Sequence, residues 1–365
     1  MELVQNEFFV EEKFPVKPKR AQIETLTARA AKFSYFSIPE LRYLLQTEDF
    51  NAEETTVTDE EYCVVQPLLK NISGRISVCY NQELGGFVII FQVFDELWIS
   101  FRGTNSRDFA DGVKDIQTDL KVSQVQPHFF PKVNVHRGFA ESYATLRDYV
   151  WYEVENTTKI NAESRRMTRI RILGHSLGGA LATICAADIR FNAYQKSANH
   201  YKPSINGSII KVSCRTFGSP AVGDAEFANF FNNEVKDSIR YAIKFDPVTL
   251  CLSPLKEYSH VAHYLEMGDI IGKHKIEYYV AQLEEWHKTR KVSEISIEEE
   301  HLLMADTQHD DNSGPPKIII AIMIGISLFL WSRVFSRYKR PGFNIYRFIP
   351  EKWQYFIPPF FNQEY

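Results

Sequence analysis

A serine enclosed by glycines, GHSLG at residues 174–178, lies between a short apolar run and a helix-forming one. Ile170, Ile172 and Leu173 read as a buried strand, and Ala180, Leu181, Ile184, Cys185 and Ile189 recur at helical spacing after the turn. A serine on a sharp strand-to-helix turn is held outward by a strained backbone. The free N–H groups of the following helix then face whatever negative charge develops beside it. Gly174 and Gly178 fit that turn, because side chains there would collide with the crossing strand and helix. Ser176 is therefore the candidate nucleophile. Acyl transfer by such a serine also needs a base for its proton, a carboxylate to orient the base, and donors for an oxyanion.

Asp246 is the candidate carboxylate. It directly follows the alternating apolar run SIRYAIKF at 238–245 and precedes Pro247, a position that aims a side chain over a sheet edge. Asp224, Asp237 and Asp269 lack that placement. Downstream lie His260, His263, His274, His287 and His301. His274 occupies a loop just before a helix, whereas His287 falls in a charged helix end and His301 in an acidic linker. His260 and His263, in the extended run SHVAHYLEMG, stay open as alternatives to His274. His175 shares the sharp turn with Ser176 and is expected to point away from it. The order serine, aspartate, histidine is that of a nucleophile elbow on an open α/β sheet. Thr104 ends the run FRGT at 101–104 and places a hydroxyl and backbone N–H groups at a strand's C-terminal edge, where ligands of such sheets sit.

These residues need a scaffold that the remaining pattern supplies. Residues 21–46 read as one or two helices broken near Pro39, and 51–61 as an acidic surface loop or helix start. The runs RISVCYNQ, GGFVIIFQV and ELWISFRG between 75 and 103 are strands joined at Gly85, Gly86, Phe94 and Asp95. Residues 134–156 predict a helix with Phe139, Tyr143, Leu146 and Val150 on one face. Residues 208–220 predict a strand, 225–232 a short helix and 276–286 the last helix of the domain. Strand–helix–strand alternation predicts an α/β fold, a largely parallel sheet with helices on both faces. The polar segment 105–120, with Phe109, Val113 and Ile116 at helical spacing, is expected to form a lid.

The chain of 365 residues is 44% apolar, enough for one large α/β domain with appendages. Its 42 basic and 46 acidic residues give a formal charge of −4, so no basic field points to nucleic acid. Cys63, Cys79, Cys185, Cys214 and Cys251 are widely spaced in apolar runs and read as reduced core residues. No Cys-x-x-Cys or His-Glu-x-x-His pattern proposes a metal, and the chemistry asks for no cofactor.

Several further motifs appear in a recognisable order: FRGT, DIQTDL at 115–120, HRGF at 136–139, GHSLGGALA at 174–182, TFGSPAVGD at 216–224, DPVTLC at 246–251 and HKIEYY at 274–279. Across roughly residues 21–286 the chain resembles the class 3 lipases, fungal-lipase-like α/β-hydrolases that cleave acyl esters of glycerolipids. The resemblance implies Ser176 as nucleophile, Asp246 as orienting acid, His274 as base, and Thr104 with the Leu177 backbone N–H as oxyanion hole. It also puts the lid within 105–116. Where the family usually carries Trp, this chain has Ile116, and its lid segment is longer than in the compact fungal enzymes.

The expected organisation is an N-terminal arm at 1–20, a catalytic domain at 21–292, an acidic linker at 293–316, a transmembrane helix at 317–335 and a basic, aromatic tail at 336–365. KIIIAIMIGISLFLWSRVF is nearly unbroken in apolarity and approaches the ~20 residues that span a bilayer. Location at a membrane by a single C-terminal pass is thus expected, with a lipid or other acyl ester as substrate. Basic residues after the span put the tail in the cytosol. The first 20 residues lack an apolar signal-peptide core and favour a cytosolic catalytic domain instead, so the side of the membrane stays open.

Overall fold

The computed structural model describes residues 3–11, 20–46, 57–81, 85–104, 123–164, 167–198, 204–205, 208–209, 211–250, 252 and 257–290. The chain divides into two units, 1–307 and 308–365, and all described residues lie in the first. The expected lid, linker, span and tail fall outside the described residues. Among the described residues, no helix is long and apolar enough to cross a membrane.

The strands are β1 (Val4–Val10), β2 (Ile72–Tyr80), β3 (Phe87–Val93), β4 (Glu96–Phe101), β5 (Gln124–Val125), β6 (Val135–His136), β7 (Arg169–His175), β8 (Ser204–Ile205), β9 (Ser208–Ile209), β10 (Lys211–Phe217), β11 (Asp237–Lys244) and β12 (His263–Ile271). The helices are α1 (Arg20–Phe33), α2 (Ile38–Leu45), α3 (Asp59–Leu69), α4 (Arg137–Ser164), α5 (Leu177–Ala198), α6 (Ala225–Glu234), the single turn α7 (Pro247–Leu250) and α8 (Ile276–Arg290). The central sheet is 8-stranded in the order β1-β2-β3-β4-β7-β10-β11-β12. β5 pairs with β6 and β8 with β9 in separate ribbons.

The sheet has two characters, and connection length explains both. From β4 through β7, β10, β11 and β12 every pairing is parallel, each crossover carrying a helix or a long excursion. The pairs β1–β2, β2–β3 and β3–β4 are antiparallel. Phe94 and Asp95 alone join β3 to β4, too short a link for any parallel return. The expected parallel sheet thus occupies one part of a mixed sheet. Residues 4–10, expected within a surface arm, instead form the edge strand β1, because VQNEFFV alternates and pairs along β2 from Val4 opposite Tyr80 to Val10 opposite Gly74.

Alternation in β3 and β4 buries both faces. Ile90, Leu97, Ile99 and Phe101 pack with Tyr143 and Leu146 of α4 and with Ala180, Leu181 and Ile184 of α5. Ile89, Phe91 and Trp98 face Ile23, Leu26, Ala30 and Phe33 of α1 and Val65 and Leu68 of α3. Small residues let α1 come close enough for Ser100 Oγ to donate to the Ala30 carbonyl at 2.9 Å. Helix α1 ends before α2, which begins from a capping box at Ser37 and Glu40 with Pro39 in its first turn. Cys79, Cys185 and Cys214 are buried free thiols, but Cys63 on α3 is exposed, contrary to the expected core position.

The parallel strands are also tied to one another and to α1 by buried charge. Arg215 on β10 donates to both oxygens of Glu24 on α1, at 2.7 and 3.0 Å, and to Asp237 at 2.8 Å. Arg171 pairs with Glu96 at 2.8 and 3.2 Å, Arg169 reaches Asp237, and Tyr241 donates to Glu24 at 3.0 Å. Burial pushes the Asp237 carboxyl up, yet Arg215, with Arg169 and Arg171, brings it down to about 2. A carboxyl whose folded pKa is depressed stabilises the fold above its unfolded value and loses that contribution as pH falls through the folded value. Arg215→Met leaves Glu24 buried without its cation and is expected to cost about 3–5 kcal/mol in urea unfolding at neutral pH. The same variant should lose less stability than the wild type between pH 4 and about 2, where Asp237 gains its proton.

Candidate active site

Ser176 sits between the last residue of β7 and the first of α5, with a left-handed φ of +58° and only 6% exposure. A non-glycine residue held there marks backbone strain that the surroundings must impose. Its N–H donates to the Phe217 carbonyl at 2.9 Å, and its own carbonyl accepts from Gly179 N at 2.9 Å. A Cβ on Gly174 would strike the backbone of Gly178, and one on Gly178 would strike the Phe101 backbone. These glycines are therefore needed where β7, α5 and the end of β4 pass in contact. Gly103 is as tightly placed: a Cβ there would lie 2.7 Å from the His175 carbonyl and 3.0 Å from Ser176 Cβ, and would strike the Tyr35 hydroxyl. Thr104 follows directly, and Leu177 opens α5 on the other side of Ser176.

Asp246 is completely buried just beyond β11, after Phe245 at φ +61°. Its carboxylate accepts from His274 Nδ1 at 2.9 and 2.8 Å, from the Tyr279 hydroxyl at 2.7 Å and from Val248 N at 2.9 Å. A proton on His274 Nδ1 leaves Nε2 as the basic nitrogen of a neutral ring. Burial and the adjacent Asp246 charge push the Tyr279 hydroxyl far above its usual pKa, so it stays a donor. Gly218, at φ +59°, passes close by: a Cβ on it would lie 2.7 Å from Asp246 Oδ2 and 3.0 Å from His274 Cε1. Because the preceding Phe217 holds the Ser176 N–H, the serine turn and the Asp246–His274 pair meet at the C-terminal edges of β7, β10 and β11.

The other histidines are placed differently. His260 is half-buried and donates from Nε2 to the Thr249 carbonyl at 3.0 Å, with desolvation driving its pKa well down. His263 is exposed at the start of β12. Asp224 caps α6 by accepting from Phe227 N at 2.7 Å and also binds Asn134, and Asp237 belongs to the ion cluster described above. His175 is not the base: its ring packs on His274, centroids 4.6 Å apart, with its nitrogens on Tyr35 and the His274 carbonyl. Neither its role, nor that of Tyr279 or Tyr35, was legible in the sequence. The only local signal was that His175 touches the serine in the chain and Tyr279 falls inside the HKIEYY run. Among the described residues no cluster of His, Cys, Asp and Glu could hold a metal ion.

Comparison with known proteins adds an independent line. The family model described as lipase (class 3) matches residues 98–255. A secreted mono- and diacylglycerol lipase of Malassezia globosa, MDL3, is 26% identical over 202 residues, covering 53% of this chain and 56% of that protein. Lipase ZK262.3 of Caenorhabditis elegans is 27% identical over 197 residues, 53% of this chain and 48% of its own length. The chain spans about half the length of the curated relatives it matches. Among solved structures, a Rhizomucor miehei lipase propeptide complex superposes with a TM-score of 0.51 at 19% identity, over 70% of each chain. Another, described as a triacylglycerol lipase whose catalytic centre is a serine protease triad, gives 0.51 at 18% identity over 70% of this chain and 82% of that one. At such identities the likeness is one of fold: an α/β-hydrolase-like lipase fold, its central sheet flanked by helices.

Proposed function

We propose that this chain, whose residues 98–255 match the class 3 lipase family, is a serine carboxylic ester hydrolase acting on glycerolipids at a membrane surface. The observation that carries the proposal is the buried Asp246–His274 pair at the sheet edge where strained Ser176 turns into α5. In the proposed reaction His274 Nε2 takes the Ser176 proton as Oγ bonds to the acyl carbon. Asp246 stabilises the imidazolium that results. The tetrahedral oxyanion is met by Thr104 and the Leu177 N–H, on a helix end whose dipole favours negative charge. His274 returns the proton to the departing alcohol, and a water activated by the same ring releases the acid from the acyl-serine. No cofactor enters these steps.

Glycerolipid is preferred over a soluble ester for two reasons. The curated relatives include proteins named as mono- and diacylglycerol lipases, and residues 317–335 have the length and apolarity of a bilayer span. Such a span would keep the domain beside an insoluble substrate. A carboxylesterase for soluble esters and an inactive membrane scaffold are the rivals that the following measurements separate.

A fluorophosphonate probe should label the wild-type protein, and Ser176→Ala should abolish labelling; a folded wild type that takes no label would favour the scaffold. His274→Ala should cut turnover by about 10⁴-fold or more in a chain that still unfolds cooperatively, while His263→Ala keeps activity, since Ser176 retains its proton only when the base is lost. With a short-chain ester, the rate should jump as concentration passes the solubility limit. A smooth saturation curve across that limit would point to a soluble substrate. Alkaline carbonate should extract a chain shortened by deletion of 317–365 from membranes and leave the full chain behind. Equal extraction of both would remove the span from the proposal.

A further inference from the structure

Tyr35 lies in the turn between α1 and α2, and nothing in its local sequence suggests chemistry. Its hydroxyl nevertheless reaches the innermost part of the site, 2.7 Å from His175 Nδ1. The other nitrogen of that ring, Nε2, lies 2.6 Å from the His274 backbone carbonyl. A carbonyl only accepts, so His175 Nε2 must carry the hydrogen. Burial, and His274 nearby, drive the His175 pKa far below its ordinary value, so the ring is neutral and Nδ1 is bare. Tyr35 must then donate to Nδ1, and its oxygen lies against Gly103, where a Cβ would strike it. Each of these two bonds has one permissible direction: Tyr35 O–H to His175 Nδ1, and His175 Nε2–H to the His274 carbonyl.

Resting on the serine-hydrolase reading above, we infer that Tyr35 and His175 are positioning residues, a strut hydrogen-bonded to the His274 backbone at one end and packed against Gly103 at the other, which sets Thr104 and the His274 base at a fixed separation across Ser176. Gly103 immediately precedes Thr104, His175 immediately precedes Ser176, and His274 carries the base itself. The strut therefore joins the backbones of the oxyanion donor, the nucleophile and the base. The ring of His175 also packs on the His274 ring, 33° from parallel, which resists tilting of the imidazole away from Asp246. A histidine suits the middle position because it donates at one edge and accepts at the other across a rigid ring.

The test uses the full chain, a dispersed short-chain ester and four variants. Tyr35→Phe keeps the ring and removes the hydroxyl; it should lower kcat by about tenfold to a hundredfold, since small misplacement of reacting groups is that costly. KM should stay within about twofold, as an interaction that shapes only the transition state requires. His175→Leu should lose a similar factor, and the double variant Tyr35→Phe with His175→Leu should lose no more than the worse single one, because both break one strut. His175→Gln, whose amide can still donate to the His274 carbonyl and accept from Tyr35, should recover at least about tenfold over His175→Leu. Wild-type kcat in Tyr35→Phe, multiplying losses in the double variant, or no recovery with His175→Gln would each overturn the strut while leaving the hydrolase reading intact. A folded wild type without turnover or fluorophosphonate labelling would instead overturn that reading, and the strut with it.

Discussion

Asp246 is a carboxylate with no exposure, and an ionised carboxylate out of water must be met by donors on every side. The site is built around meeting that demand. The turn α7 offers the Val248 N–H, helix α8 offers the Tyr279 hydroxyl, and the loop before α8 brings His274 Nδ1. Tyr279 also accepts from Ile243 N at 3.2 Å, so the same phenol pins α8 to the end of β11. Orientation of His274 is thus a by-product of solvating a buried charge. A looser, wetter site would leave both side chains free to turn to solvent.

The second constraint is crowding at the serine turn. Contact of Gly174, Gly178 and Gly103 with neighbouring backbone brings β4, β7 and α5 to their closest approach around Ser176. Ser176 cannot relax from its left-handed φ, because its N–H is held by Phe217 and its carbonyl by Gly179. Strain stored locally is sustained by the parallel pairing of β7 with β4 and β10 on either side. The ion cluster of Glu24, Arg215 and Asp237 fastens α1 to β10 and β11 of the same sheet. Helix α1 leads directly to the turn that carries Tyr35, so the cluster and the site are linked through one helix.

Much of the scaffold was legible because its causes are local. Alternation along β3 and β4, glycine spacing around Ser176, and helical periodicity after it are set by neighbours within one or two turns of chain. The Gly-x-Ser-x-Gly turn could be assigned its shape because no other residue than glycine tolerates those contacts. Position relative to strand ends singled out Asp246, and preference for His274 over His260 and His263 followed from its loop. Edge strand β1 was missed because a short charged alternation has the same composition as an exposed arm until β2 is there to pair with it.

Tertiary structure alone decided which groups share protons. Tyr35 and His175 are separated by 140 positions, and Glu24 and Arg215 by 191, distances at which periodicity carries no information. Sequence spacing gives a residue's face and its place at a strand end. Whether a ring on that face stacks on another, or turns away, depends on how closely two layers pack. His175 shows the difference: its place beside Ser176 was plain in the sequence, but its direction was set by Tyr35 arriving from the opposite layer and by the His274 carbonyl arriving from the last loop.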